Sequence, residues 1–239
     1  MKNIEQWKPT KFEVVNNHLQ PSSIVSNTSY RMASYISLFY NENIAKYASG
    51  NLLDLGCGTV PMYGYYKQYV KSNTCADWGN CEHETSHVDV FCDLNLALPF
   101  EKNSFDTIIF SDVLEHLSEP KFTLQEINRI LKPSGVLIMN YPFLYGLHEV
   151  PYDYCRYTKY RIRTWIDEIG MKIIKENEYG GLFDLFERSI LRMFKNIKGG
   201  KKVSNFLSFF FKKFHKSKIS NNTSHPYMYG YIIKNSKEL

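Results

Sequence analysis

The sequence predicts a doubly wound, mostly parallel α/β sheet, and three observations predict it. From residue 51 onward, short apolar runs alternate with amphipathic helical patterns. The first of these runs stops at a turn holding two glycines, Gly56 and Gly58. The second and third end on carboxylates, Asp77 and Asp93.

The elements follow in order. Asn51 to Leu55 is a buried strand halted by Gly56, and Met62 to Val70 is the helix after it. Thr74 to Asp77 and Val88 to Cys92 are the second and third strands, and Asp106 to Ser111 is the fourth. A helix from Lys121 to Leu131 places Phe122, Leu124, Ile127, Ile130 and Leu131 at helical spacing, and Pro133 to Gly135 breaks it. Val136 to Asn140, a helix from Thr158 to Ile169, and Met171 to Lys175 complete the series. Helices of this length between strands imply right-handed crossovers. Before the sheet, residues 1–50 contain a helix from Tyr30 to Tyr47 and no strand pattern, which reads as a cap. After it, Phe183 to Lys218 reads as two amphipathic helices interrupted at Gly199-Gly200, and Tyr227 to Lys234 as a last strand. The predicted domains are a helical cap over 1–50, a ligand-binding core over 51–180, a basic helical insert over 181–225, and the final core strand over 226–239.

Composition narrows the class. Apolar residues at 44% and charged residues at 22% fit a globular chain and exclude disordered or fibrous ones. No apolar run approaches the about 20 residues that span a bilayer, and the first residues lack a secretory apolar stretch, so the expected location is the cytoplasm. Five cysteines without a C-x-x-C pair argue for reduced thiols. Cys81, His83 and His87 lack a fourth partner, and no metal site is expected. The net charge of +5 is local: Arg188 to Lys218 holds ten Lys or Arg and no acid, against 19 basic and 24 acidic residues elsewhere.

The chemistry sits on the strand ends. Glycines at Gly56 and Gly58 let a ligand approach the backbone where an open α/β sheet binds ligands. Asp77 stands where a carboxylate accepts from both hydroxyls of a ribose, and Asp93 with the Leu94 amide can meet an adenine. The series Leu53-Asp54-Leu55-Gly56-Cys57-Gly58-Thr59, Asp77, Asp93, Leu98-Pro99-Phe100, Ser104-Phe105-Asp106, Ser111-Asp112-Val113-Leu114-Glu115-His116-Leu117 and Leu131-Lys132-Pro133-Ser134-Gly135 resembles the class I S-adenosylmethionine-dependent methyltransferases, particularly the group that includes quinone and other small-molecule methylases. The resemblance covers roughly residues 50 to 180 and implies a Rossmann-like fold with S-adenosylmethionine as cofactor. It implies that Asp54, Gly56, Cys57 and Gly58 line the methionine end, Asp77 and Trp78 the ribose, Asp93 and Leu94 the adenine, and that Ser111 and Asp112 face the sulfonium and the acceptor. Thr59-Val60-Pro61 departs from the family's third glycine and should reshape the following helix, and Ser134 departs mildly from the second glycine of its Lys-Pro-Gly-Gly turn. A nicotinamide dehydrogenase would need glycine where Pro61 stands. Asn140-Tyr141-Pro142-Phe143 is similar to a DNA and protein amide methylase motif, yet follows the fifth strand rather than the fourth.

On the acceptor side, Pro142 to Thr158 is crowded with tyrosines, His148, Glu149, Asp153 and Arg156, which suits a polyhydroxylated acceptor. His148 is the candidate base, oriented by Glu149 or Asp153; His116 is a second candidate, read chiefly as an anchor of the turn after the fourth strand. The alternative reading makes this stretch a stitched loop with Thr158 capping a helix. The pattern at His148 to Thr158 also resembles methyltransferases of surface-polysaccharide and glycan biosynthesis, implying O-methylation of a sugar or other small molecule. The basic segment, 186–218, can pack on the core or an oligomer partner, or lie on an anionic membrane at its inner face. No nucleic acid is expected, since no recognition module is evident. An RNA methyltransferase and a non-catalytic S-adenosylmethionine-binding scaffold are the competing functions, and the sequence does not set the oligomeric state.

Overall fold

The chain enters through an antiparallel hairpin of β1 (Phe12–Val15) and β2 (His18–Pro21), which corrects the expectation that residues 1–50 hold no strand. Its turn is Asn16-Asn17, both with left-handed φ of 50° and 62°, the backbone that a two-residue hairpin requires and asparagine tolerates. Each strand buries one large apolar side chain, Phe12 or Leu19, too few to register as an alternating pattern. The computed structural model describes residues 1–79, 84–195, 197, 199–214 and 224–236. Cys81 and His83 lie outside the described residues, as do His215, Lys216, Ser217 and Lys218 of the basic segment.

After the hairpin, α1 (Asn27–Tyr47) buries Tyr35, Ile36, Phe39 and Tyr40. The sheet then begins with β3 (Asn51–Leu55), buried from Leu52 onward. The helix expected over Met62 to Val70 contracts to one turn, α2 (Tyr63–Tyr66), and a 3-10 turn over Lys67–Tyr69. Val60 explains part of this: it takes φ of 52° where the family has a flexible glycine, a conformation disfavoured for a β-branched residue. Next come β4 (Ser72–Asp77), a two-residue edge strand β5 (Val90–Phe91), and β6 (Phe105–Ser111). Helix α3 (Pro120–Ile130) leads into β7 (Leu131–Pro142), α4 (Lys159–Glu168) into β8 (Met171–Tyr179), and α5 (Leu182–Lys195) with α6 (Gly200–Phe214) into β9 (Met228–Asn235).

The seven strands lie in the order β5-β4-β3-β6-β7-β9-β8. The first five are parallel, while β9 runs antiparallel between β7 and β8. Alternate residues of the sheet feed two cores. Leu52, Ile109, Ile138 and Ile232 face α1 and the hairpin. Leu53, Ile108, Leu137 and Ile233 face α3 and α4. The order reverses between β3 and β6, so the crevice at their carboxyl ends is where this architecture binds ligands.

The basic segment is tied to α1 through acids. Arg31 reaches Glu187 at 2.7 Å and Asp184 at 3.4 Å, all nearly fully buried. Tyr35 donates to Asp184 at 2.9 Å, and the other Asp184 oxygen accepts from the Gly181 amide at 2.7 Å. Leu191 and Phe211 are buried beneath the helices, but Phe206 and Phe209 are 69% and 67% exposed. Among the described residues, no helix is long and apolar enough to cross a membrane. Cys57, Cys75, Cys92 and Cys155 are free thiols.

Candidate active site

The loop after β3 is fixed by its neighbours. Gly56, at φ of 71°, donates to the Ala76 carbonyl at 2.8 Å, and a Cβ there would collide with the Val113 side chain. Gly58 differs: its φ of 51° is also left-handed, but a Cβ would meet nothing within 4 Å. The backbone is therefore open to a ligand at Gly58. The Gly58 amide donates to Asp77 Oδ2, and the Trp78 amide donates to Asp77 Oδ1 at 2.6 Å. One carboxylate thus joins the glycine loop to the end of β4. Cys57 turns its thiol inward toward Cys75, whose hydrogen bond, together with burial, raises the thiol pKa far above its ordinary value. Only its backbone is available to a ligand.

Asp54 lies beneath this loop, 3% exposed, accepting from the Tyr66 hydroxyl at 3.2 Å. Burial pushes its carboxyl from 3.8 up to about 7, with the Tyr66 bond opposing and the Asp77 charge assisting. The folded chain therefore keeps a proton that the unfolded chain loses above about pH 4. The stability this contributes is complete below the unfolded value and is lost as pH rises through about 7. Asp54→Asn is expected to raise the unfolding free energy of the cofactor-free protein at about pH 8, by up to about 4 kcal/mol, with the gain shrinking toward pH 4. Denaturant titrations of both proteins across that range would show it, and a gain independent of pH would mean that Asp54 is not held protonated.

At the end of β5, Asp93 Oδ1 accepts from the Asn95 amide at 2.9 Å and its side-chain NH2 at 3.0 Å. Asn95 Oδ1 in turn accepts from the amides of Ser118 and Glu119 at 2.9 and 3.0 Å. The Leu94 carbonyl accepts from Thr123 at 2.7 Å, and the side chain is buried. Asn95 has no motif of its own, so sequence reading passed over it.

At the end of β6, Ser111 is followed by Asp112 with φ of 53°. Asp112 Oδ1 accepts from Asn140 at 2.7 Å, Asn140 accepts from the buried Tyr40 hydroxyl at 2.9 Å, and Lys11 stands 3.3 Å from Asp112 Oδ2. The Asn140 side chain is held in this network, at the end of β7 rather than of β6. Lys11 and Tyr40 were not legible because they come from the cap.

The acceptor-side residues converge over β6 and β7. Asp153 is clamped by Arg156 at 2.5 and 2.8 Å and accepts from the His148 amide at 3.0 Å. Burial works to raise the Asp153 pKa, but Arg156 and that amide bring it down to about 2. His148 Nδ1 lies 3.4 Å from Asp153 Oδ2, and its Nε2 faces Glu115 Oε1 at 3.7 Å. Burial works to lower the His148 pKa, yet the two carboxylates prevail and hold it above its ordinary value. Glu149 instead faces His116 Nε2 at 3.8 Å. Glu115, missed as a site residue, is 1% exposed, and burial raises its pKa with His148 opposing. Tyr152 packs its ring edge-on to Trp78 at 4.9 Å, which seats this loop against the strand end that carries Asp77. Arg188 of α5 stacks on Tyr145 with its guanidinium carbon 3.4 Å from the ring centre. Thr158 makes no side-chain capping bond to α4.

An open α/β sheet with an antiparallel penultimate strand, a glycine turn and an adjoining acidic strand end has the crevice at which such sheets bind ligands. Residues 53–139 match the family model described as a methyltransferase domain, which supports S-adenosylmethionine as the cofactor of this domain. It is similar to the human mitochondrial arginine-hydroxylase NDUFAF5, 34% identical over 97 residues that cover 36% of this chain and 27% of that protein. The chain spans less than half the length of each of the curated relatives it matches. Among solved structures it is similar to the [4+2]-cyclase SpnF, with a TM-score of 0.57 at 17% identity, covering 94% of this chain and 88% of that one. A SAM-dependent methyltransferase from Archaeoglobus fulgidus gives a TM-score of 0.55 at 15% identity, covering 86% and 96%. Proteins named for hydroxylation and cyclisation are similar to this chain, so the fold alone does not set the reaction.

Proposed function

We propose that the protein transfers a methyl group from S-adenosylmethionine to an oxygen of a small-molecule or sugar acceptor, in the biosynthesis of a surface glycan. The observation that supports this reading is the Trp78–Tyr152 contact, which ties the loop carrying His148 and Asp153 to the strand end that carries Asp77. Gly58 and Asp77 would hold the methionine and ribose portions, Asp93 with Leu94 the adenine, and Ser111 and Asp112 the boundary with the acceptor. S-adenosylmethionine supplies a methyl group on a sulfonium, which leaves with its bonding pair retained by sulfur. The chain's part is to align the acceptor oxygen in line with that methyl and to handle the proton the hydroxyl gives up. His148, held by Asp153 and with Glu149 at the rim, is the group assigned to that proton. Tyrosines and Arg188 around it favour an acceptor rich in hydroxyls and bearing negative charge, and the His148 to Thr158 pattern supports the glycan class.

Formation of demethylated cofactor from S-adenosylmethionine, with nucleotide sugars and lipid-linked oligosaccharides as acceptors, tests the assignment. His148→Ala is expected to lower turnover by on the order of 100-fold while leaving cofactor affinity unchanged. Undiminished turnover would remove His148 from the reaction.

A second reading concerns where the protein works. The exposed Phe186, Phe206, Phe209 and Phe210 lie on the helices of a segment with no acid between Arg188 and Lys218, which supports peripheral docking on the anionic inner face of a membrane. The full chain is expected to cosediment with phosphatidylglycerol vesicles and not with phosphatidylcholine alone, and the pair Phe206→Ser and Phe209→Ser to abolish it. Equal recovery with both vesicle types would end this reading.

A further inference from the structure

The geometry points to a divalent-cation site formed by Glu115, His116 and His148, placed to receive an acceptor hydroxyl. One ligand atom from each residue lies within 4.8 Å of the other two. Glu115 Oε1 is 3.8 Å from His116 Nε2 and 3.7 Å from His148 Nε2. These separations are too long for hydrogen bonds. They are close to the edge of a ligand tetrahedron, about 3.4 Å for bonds of about 2.1 Å.

Two features of the cluster favour a cation between these groups. Both Glu115 side-chain oxygens are buried with no hydrogen-bond partner, an expensive state for a carboxylate in the interior. His116 Nδ1 lies 2.8 Å from the Tyr152 carbonyl, which can only accept, so this nitrogen carries the proton and Nε2 presents its lone pair toward Glu115 in the neutral ring. His148 differs, with Arg156 Nη2 3.5 Å and Asp153 Oδ2 3.4 Å from its Nδ1. Two ring nitrogens and a carboxylate converge, and the outer nitrogen of His116 is braced by an acceptor, as in histidines oriented to bind metal. The rings also meet edge-on with centroids 4.7 Å apart, so little motion separates them from a common centre. Glu149 Oε2 lies at the rim, 3.8 Å from His116 Nε2.

Two imidazoles and one carboxylate suit a borderline first-row ion such as zinc or manganese and leave positions open. Resting on the methyltransferase reading, an acceptor hydroxyl bound at an open position would lose its proton at lower pH. His148 then contributes to activation as a ligand held by Asp153, in agreement with the expected loss of turnover in His148→Ala.

The test needs no acceptor. Full-length protein stripped with chelator is dialysed against zinc chloride, and separately against manganese chloride, with metal counted per chain. One bound ion is expected, with affinity weakened at least about tenfold by Glu115→Gln and by His116→Ala. Glu115→Gln removes a buried unpaired charge, so its metal-free form is expected to melt no lower than wild type, and that measurement guards against reading misfolding as lost ligation. Absence of binding by the wild type, or unchanged binding by the triple variant Glu115→Gln, His116→Ala and His148→Ala, would overturn the site. Metal bound as expected but no methyl transfer to any acceptor would overturn the methyltransferase reading and leave the site standing.

Discussion

Asp77→Ala is expected to weaken S-adenosylmethionine binding by on the order of 100-fold or more, because two charge-assisted hydrogen bonds to a ribose contribute about 3 kcal/mol or more together. The same substitution removes the bond that the Gly58 amide donates to Asp77 Oδ2, so the glycine loop loses its tether to β4 as well. Asp77→Asn separates the two effects: it retains an oxygen for the Gly58 amide while removing the charge. Calorimetric titration with S-adenosylmethionine, its demethylated product and NAD measures all three ligands on each protein. Micromolar binding of the first two by the wild type, partial loss in Asp77→Asn and near-complete loss in Asp77→Ala is the expected order. Affinity in Asp77→Ala within a few fold of wild type would place the ribose elsewhere, and binding of NAD alone would overturn the cofactor assignment of the loop.

Arg31→Met is expected to destabilise the docking of α5 and α6 by about 3–5 kcal/mol, the typical consequence of leaving buried acids without their cation. Arg31, Asp184 and Glu187 are nearly dry, and the arginine bridges both acids across the α1–α5 interface. Tyr35 and the Gly181 amide still bond Asp184, so damage should centre on Glu187 and spread along α5. Hydrogen exchange should quicken in α5 and α6 while β3, β6 and β7 keep their protection. Removing the acids together with the cation, in Arg31→Met, Asp184→Asn and Glu187→Gln, should recover most of the loss. A change below about 1 kcal/mol in Arg31→Met would mean that apolar burial of Leu191 and Phe211 alone docks the segment.

The two tests act on opposite sides of the acceptor loop. Asp77 supports it through Trp78 and Tyr152, whereas α5 supports it through Arg188 on Tyr145. Loosening α5 is therefore expected to affect the acceptor side more than the cofactor side.

The sheet was legible in the sequence because its strands are buried on both faces and read as apolar runs, and because the turn at Gly56 and Gly58 needs left-handed backbone that glycine adopts. The basic helices and their break at Gly199-Gly200 were legible from helical spacing. The hairpin was not, since each strand buries a single large side chain, and the shortened helix after the glycine loop was only half anticipated from Val60-Pro61. Within the site, the strand-end acids announce themselves by position. Glu115 does not, because a glutamate inside a turn motif reads as solvated, and only burial at 1% exposure with two imidazoles opposite gives it meaning.

The sequence by itself determined the order of strands and helices from residue 51 onward, the glycine turn and the location of charge, because these depend on local periodicity and on residues near one another in the chain. Tertiary structure alone decided which distant groups share a site: Lys11, Tyr40 and Asn140 around Asp112, Arg31 with Asp184 and Glu187, and Glu115 with His116 and His148. Such pairings depend on burial and on strand ends brought together by parallel crossovers, and neither is encoded in the spacing of residues along the chain.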